Sequence, residues 1–205
     1  NIINVSNDGA TTPATFTLTG GSGVDTITGD GGVDTINGGP GADIITGGAG
    51  ADIITPGADS DIVIMNDPTA TDTIIELAAA DKLDVDTLVG NVAVGSFTAW
   101  SGTGTVVDKD IVNFTSSSAL ANATAVIAKF ELIGESVATS MRVGNGHSVI
   151  FVVQDNDVAA GDDYDAQVFN VESDGSAISA TLVATIDNAP VGTDNMSVLV
   201  FSNFV

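Results

Sequence analysis

From Gly20 onward, aliphatic residues recur at intervals of nine, as Ile27, Ile36, Ile45, Ile54 and Val63, each set among small or acidic residues. Every block of nine reads as a turn of six small residues followed by a three-residue strand. The middle side chain of such a strand points inward and its two neighbours point outward. Glycine tolerates the φ > 0 conformations that the turns need. Successive turns then fall on alternate edges of a flattened roll, and turns 18 residues apart stack on one another. After Met65 the register breaks, with Pro68 marking the change. Asp72–Ile75 and Asp84–Leu88 read as strands that finish the roll, joined by a segment around Glu76 to Lys82.

Farther along the chain the pattern becomes antiparallel. Ser116 to Ser118 are expected to cap a helix with Leu120, Ala123, Ile127 and Phe130 on one face. Asn145-Gly146 signals a hairpin between Val137–Val143 and Ser148–Gln154. The run Val149–Val153 predicts a strand buried on both sides. Asp174-Gly175 signals a second hairpin, between Ala166–Val171 and Ile178–Ile186, and Val198–Val205 a last strand. The expected fold is mainly β: a parallel roll over residues 1–90, then an antiparallel β-rich domain with one short helix over 91–205.

The polar positions carry the chemistry. Asp occupies the sixth position of five consecutive blocks, at Asp25, Asp34, Asp43, Asp52 and Asp61. The whole chain has 27 acidic residues against four Lys or Arg, for a net charge of -23. Loop carboxylates at that density repel one another unless a cation neutralises them. Calcium takes six to eight oxygens from carboxylates and carbonyls, and a stacked pair of such turns offers both. Asp25, Asp43 and Asp61 are expected on one edge and Asp34 and Asp52 on the other, giving about three sites with Asp43 shared by two. Asp30 and Asp59 stand where the pattern has Gly, and either add a ligand or distort their turn. Asp155–Asp165 begins like an EF-hand loop, but Ala159 and Ala160 break that motif. It reads as a solvated acidic loop or an additional calcium site.

The blocks Gly20–Thr28, Gly29–Asn37, Gly38–Thr46, Gly47–Thr55 and the degenerate Pro56–Ile64 resemble the nonapeptide repeats of the RTX family, G-G-x-G-x-D-x-U-x. That resemblance implies a calcium-binding β-roll. Its ligands would be the five sixth-position aspartates, with the turn backbone at Gly20, Gly21, Gly23, Gly38, Gly39, Gly41, Gly47, Gly48 and Gly50, and Asp30 and Asp59 as further candidates. It also implies type I secretion from a Gram-negative bacterium with an uncleaved C-terminal signal, and folding triggered by external calcium.

Composition excludes other classes. So few cations cannot neutralise nucleic-acid phosphates. No apolar run reaches the roughly 20 residues of a transmembrane helix. Zero Cys and a single His, His147, leave little scope for thiol or zinc chemistry. No nucleophile elbow or P-loop appears, so no enzyme is expected. The outward seventh position runs Thr26, Thr35, Ile44, Ile53, Ile62, so the outer face becomes more apolar along the roll and should meet either the rest of the chain or a neighbouring subunit. Two functions fit. One is a calcium-dependent, self-assembling extracellular protein of a surface layer or filament, with cell-surface polysaccharide as a further candidate partner. The other is the C-terminal folding and secretion module of a larger RTX toxin, adhesin or hydrolase.

Overall fold

A computed structural model of the chain describes residues 1–5, 13–89, 97–99, 111–116, 147–155, 166–173 and 178–187. Two parallel sheets form the roll. The first stacks β1 (Ile2–Asn4), β3 (Thr26–Thr28), β5 (Ile44–Thr46), β7 (Ile62–Ile64) and β9 (Lys82–Asp84). The second stacks β2 (Thr17–Thr19), β4 (Thr35–Pro40), β6 (Ile53–Ala58) and β8 (Asp72–Ile75). Partners are 18 residues apart in the regular turns, Ile27 beside Ile45 and Ile36 beside Ile54. The roll is a β-solenoid of about four coils, each made of two nine-residue turns.

Alternation in the strands gives the roll its core. Leu18, Ile36, Ile54 and Ile74 line one sheet's inner face, and Ile27, Ile45, Val63 and Leu83 the other's. All are buried, and fully burying one such side chain contributes roughly 1.5–3 kcal/mol. The strands are only three to six residues long, so this column, and not strand length, holds the turns together.

Two expectations change here. The nonapeptide register does not end at Met65: Met65 and Asn66 are inserted, and the register then resumes. Residues 67–75 and 76–84 form two more turns, their strands pairing with a 20-residue offset, Ile62 beside Lys82 and Ile53 beside Thr73. Met65 is fully buried, so the insertion adds a core side chain where it lengthens the turn. The segment Asp84–Leu88 is also not one strand. β9 ends at Asp84, and Asp86–Val89 forms a short helix, α1, begun by an Asx bond from the Asp86 N–H to Asp84 Oδ1 (3.1 Å).

Beyond the roll lie β10 (Phe97–Ala99), β11 (Ile111–Ser116), β12 (His147–Asp155), β13 (Ala166–Ser173) and β14 (Ile178–Asp187). The expected antiparallel pairing of β13 with β14 is present, with a bulge at Val168/Phe169. β12 pairs antiparallel with β13 and parallel with β11. Ile150 and Val152 of β12 are buried. The expected helix after Ser118, the strand at 137–143, the acidic loop after Asp155 and the strand at 198–205 lie outside the described residues.

β14 also pairs in parallel with β8, Ala184 beside Asp72 and Ile186 beside Ile74. Among the described residues the second sheet therefore runs unbroken from β2 through the roll to β10, with nine strands. Thr71 Oγ1 donates to the Leu182 carbonyl (2.9 Å) across that seam. Side chains from the roll and from β12–β14 share one hydrophobic core.

Candidate metal centre

Each sixth-position aspartate directly precedes a strand, so stacked strands stack the carboxylates too. On one edge Asp25, Asp43 and Asp61 form a ladder, as the sequence predicts. Asp25 N–H donates to Asp43 Oδ1 (2.8 Å), and Asp43 N–H to Asp61 Oδ1 (2.7 Å). On the other edge Asp34 N–H donates to Asp52 Oδ1 (2.8 Å). Both ladders continue past the predicted set, Asp52 N–H to Asp72 Oδ1 and Asp61 N–H to Asp81 Oδ1, each 3.0 Å. Sequence reasoning missed Asp72 and Asp81 because the insertion shifts the count. The signal was present all the same: Asp72-x-Ile74 and Asp81-x-Leu83 repeat the Asp-x-aliphatic triplet nine residues apart.

All seven aspartates are buried, none more than 4% exposed. One oxygen of each is held by an N–H of the turn stacked before it on the same edge or, for Asp25, by the Asn1 amino group. The other oxygen divides them. Oδ2 of Asp25, Asp43, Asp52 and Asp61 is buried with no hydrogen-bond partner. Leaving such a group unsatisfied costs about 1–3 kcal/mol, and more when it is charged. Burial, aided by the charges of neighbouring aspartates, pushes Asp52 and Asp61 up to about 6, although each accepts a main-chain N–H. Burial likewise pushes Asp72 up to about 7.

Glycine shapes the space that these oxygens face. A Cβ on Gly20 would collide with both Asp25 Oδ2 and the Gly38 carbonyl oxygen; one on Gly38 would collide with Asp43 Oδ2 and the Pro56 carbonyl. Carboxylate and carbonyl oxygens thus converge beside the first glycine of the turn. Among the described residues no three His, Cys, Asp or Glu side chains come together as a metal cage. An ion here must take main-chain carbonyls as well as the paired carboxylates, which is the donor set of a hard divalent cation such as calcium. The orphaned, buried, anionic oxygens fit that group.

The two Gly-to-Asp departures behave differently. Asp59 adopts φ 86°, close to the 95° of Gly23 and within the same left-handed region as Gly41 and Gly50, so it keeps the turn. Asp30 does not: neither Asp30 nor Gly32 is left-handed, whereas Gly21, Gly23, Gly39, Gly41, Gly48 and Gly50 all are.

Residues 17–44 and 28–63 match the family model of the RTX calcium-binding nonapeptide repeat, in four copies. This chain carries RTX calcium-binding repeats. RTX nonapeptide repeats bind calcium, are not themselves catalytic as a rule, and occur typically in secreted proteins. The match stops at residue 63, one turn after the last Gly-Gly pair, while the roll continues to Asp84. No curated protein matches the chain. Among the described residues no helix is long and apolar enough to cross a membrane.

Proposed function

We infer that the chain is a secreted, calcium-dependent structural protein of a Gram-negative cell exterior, whose copies assemble into a surface layer or filament. The observation that carries this reading is the position of its outward aliphatics. Ile44 is 37% exposed on one sheet and Ile53 39% exposed on the other, in columns where Thr26 and Thr35 precede them. Val24 and Val33 stand out at the turns, 69% and 50% exposed. The apolar outer positions therefore form two faces, not the single face expected from sequence. A subunit with contact surfaces on opposite sides can propagate a lattice or a fibre. Calcium supplies the control, because a net charge of -23 opposes association until cations neutralise or bridge it.

Electron microscopy of the purified chain, with millimolar calcium and with excess chelator, tests the reading. Ordered arrays or filaments only with calcium are expected. Calcium-induced folding to dispersed monomers would overturn assembly and favour the folding and secretion module of a larger RTX protein.

A further inference from the structure

The second repeat, Gly29–Asn37, is built unlike its neighbours. Both oxygens of Asp34 are already taken: Oδ1 accepts the Phe16 N–H (2.8 Å) and Oδ2 the Asp30 N–H (3.1 Å). Asp34 is thus absent from the set of aspartates with an orphaned Oδ2, although Asp25, Asp43, Asp52 and Asp61 all belong to it. The carboxylate of Asp30 shows the reverse. Its Oδ1 accepts the Gly32 N–H (3.0 Å), while its Oδ2 is buried without a partner. The two facts go together: the turn with Asp in place of the second glycine is not left-handed at 30 or 32, and its Asp30 N–H donates to Asp34. On the same edge Asp52, 1% exposed, also has an orphaned Oδ2, and the charge of Asp30 bears on it.

We propose that in this repeat Asp30, and not the sixth-position Asp34, presents the metal-binding oxygen, pairing with Asp52 across the stacked turns while Asp34 serves as an internal bracket. The proposal rests on the calcium reading above. The exchange keeps one free carboxylate oxygen per turn, so the edge retains its charge balance with a shifted ligand. It also accounts for an aspartate at a position where the repeat otherwise has glycine.

The test counts calcium bound per chain at saturation by equilibrium dialysis, with circular dichroism confirming that each variant folds. Asp30→Ala is expected to bind about one ion fewer and Asp34→Asn the same number as the parent. Asp30→Gly restores the repeat pattern and should return the role to Asp34. In that background Asp34→Asn should cost about one ion, a non-additivity that a merely structural Asp34 would not produce. Loss of an ion from Asp34→Asn alone, or retention of every ion by Asp30→Ala, overturns the proposal. If Asp34→Asn does not fold, Asp30→Ala decides. A parent chain that binds no calcium would instead sink the calcium reading itself.

Discussion

Turns 20–64 and turns 67–84 share one backbone path and reach it by different chemistry. In the first group glycines allow neighbouring turns to touch, and the sixth-position aspartates other than Asp34 keep an oxygen without a hydrogen-bond partner. In the last turn no glycine is present. Leu77 is buried in its place, Glu76 takes φ 59°, and both oxygens of Asp81 are satisfied by the N–H groups of Asp61 (3.0 Å) and Ala78 (2.7 Å). Between them, Asp67 opens its turn with a carboxylate that binds Gly50 N–H and Thr69. Burial would raise Asp67, but those hydrogen bonds outweigh it and hold the group below the usual carboxylate range. The nonapeptide path thus tolerates either an ion or a closed set of protein hydrogen bonds. On the reading proposed above, it is the glycine-rich version that would make folding respond to calcium.

Calcium removal should separate the two groups most. Hydrogen exchange in excess chelator is expected to strip protection from residues 20–64 before residues 76–84; equal loss in both would remove the distinction. Next in size are core and close-contact changes. Ile54→Ala should cost about 2–5 kcal/mol, against about 0.5 kcal/mol or less for Ile53→Ala on the outside, both read from denaturant melts with calcium present. Gly39→Ala should be comparably damaging, since φ is 96° there and a Cβ would overlap the Gly21 carbonyl.

Asp43→Ala and Asp81→Ala probe the comparison directly. The first should raise the calcium midpoint for folding at least about tenfold, as ligand losses commonly do. The second leaves two N–H groups unsatisfied, costing about 1–3 kcal/mol for each, and should leave the number of ions bound at saturation unchanged.

Acidity gives a smaller effect with a definite sign. The folded-state values of Asp52 and Asp61, about 6, and of Asp72, about 7, exceed the ordinary 3.8. Their stabilising contribution in the calcium-free fold is complete below about pH 4 and lost as pH rises through 6 to 7. The calcium-free chain should therefore gain β-structure by circular dichroism on moving from pH 8 to pH 4, while calcium affinity weakens. Smallest is Asp59→Gly, expected to relieve the strain at φ 86° by about 1 kcal/mol.

The regular part of this architecture was legible because its period is strict. Ile27 to Val63 and Asp25 to Asp61 gave the two edges, the stacking offset and the inward column. Where the period slips, legibility fails for identifiable reasons. Two inserted residues hid Asp72 and Asp81, and the alternation of Asp84, Val85 and Asp86 imitated a strand where an Asx bond starts a helical turn. The antiparallel pairing of β13 with β14 followed from Asp174-Gly175, but the neighbour on β14's other side did not. Two segments about 110 residues apart share no spacing that marks them as partners. Nor did the identity of Asp30 reveal the conformation of its turn, which depends on whether a main-chain N–H finds Asp34.

That distant pairing also sets an order in time. Every turn of the roll is assembled from contacts about 18 residues apart, which form quickly. The seam between β8 and β14 joins residues 184–187 to Asp72–Ile75, across a loop of more than a hundred residues. Closing so long a loop adds little to its final cost but delays the event. The roll is therefore early, the seam late, and during that interval the β8 edge waits for the strand that will cover it.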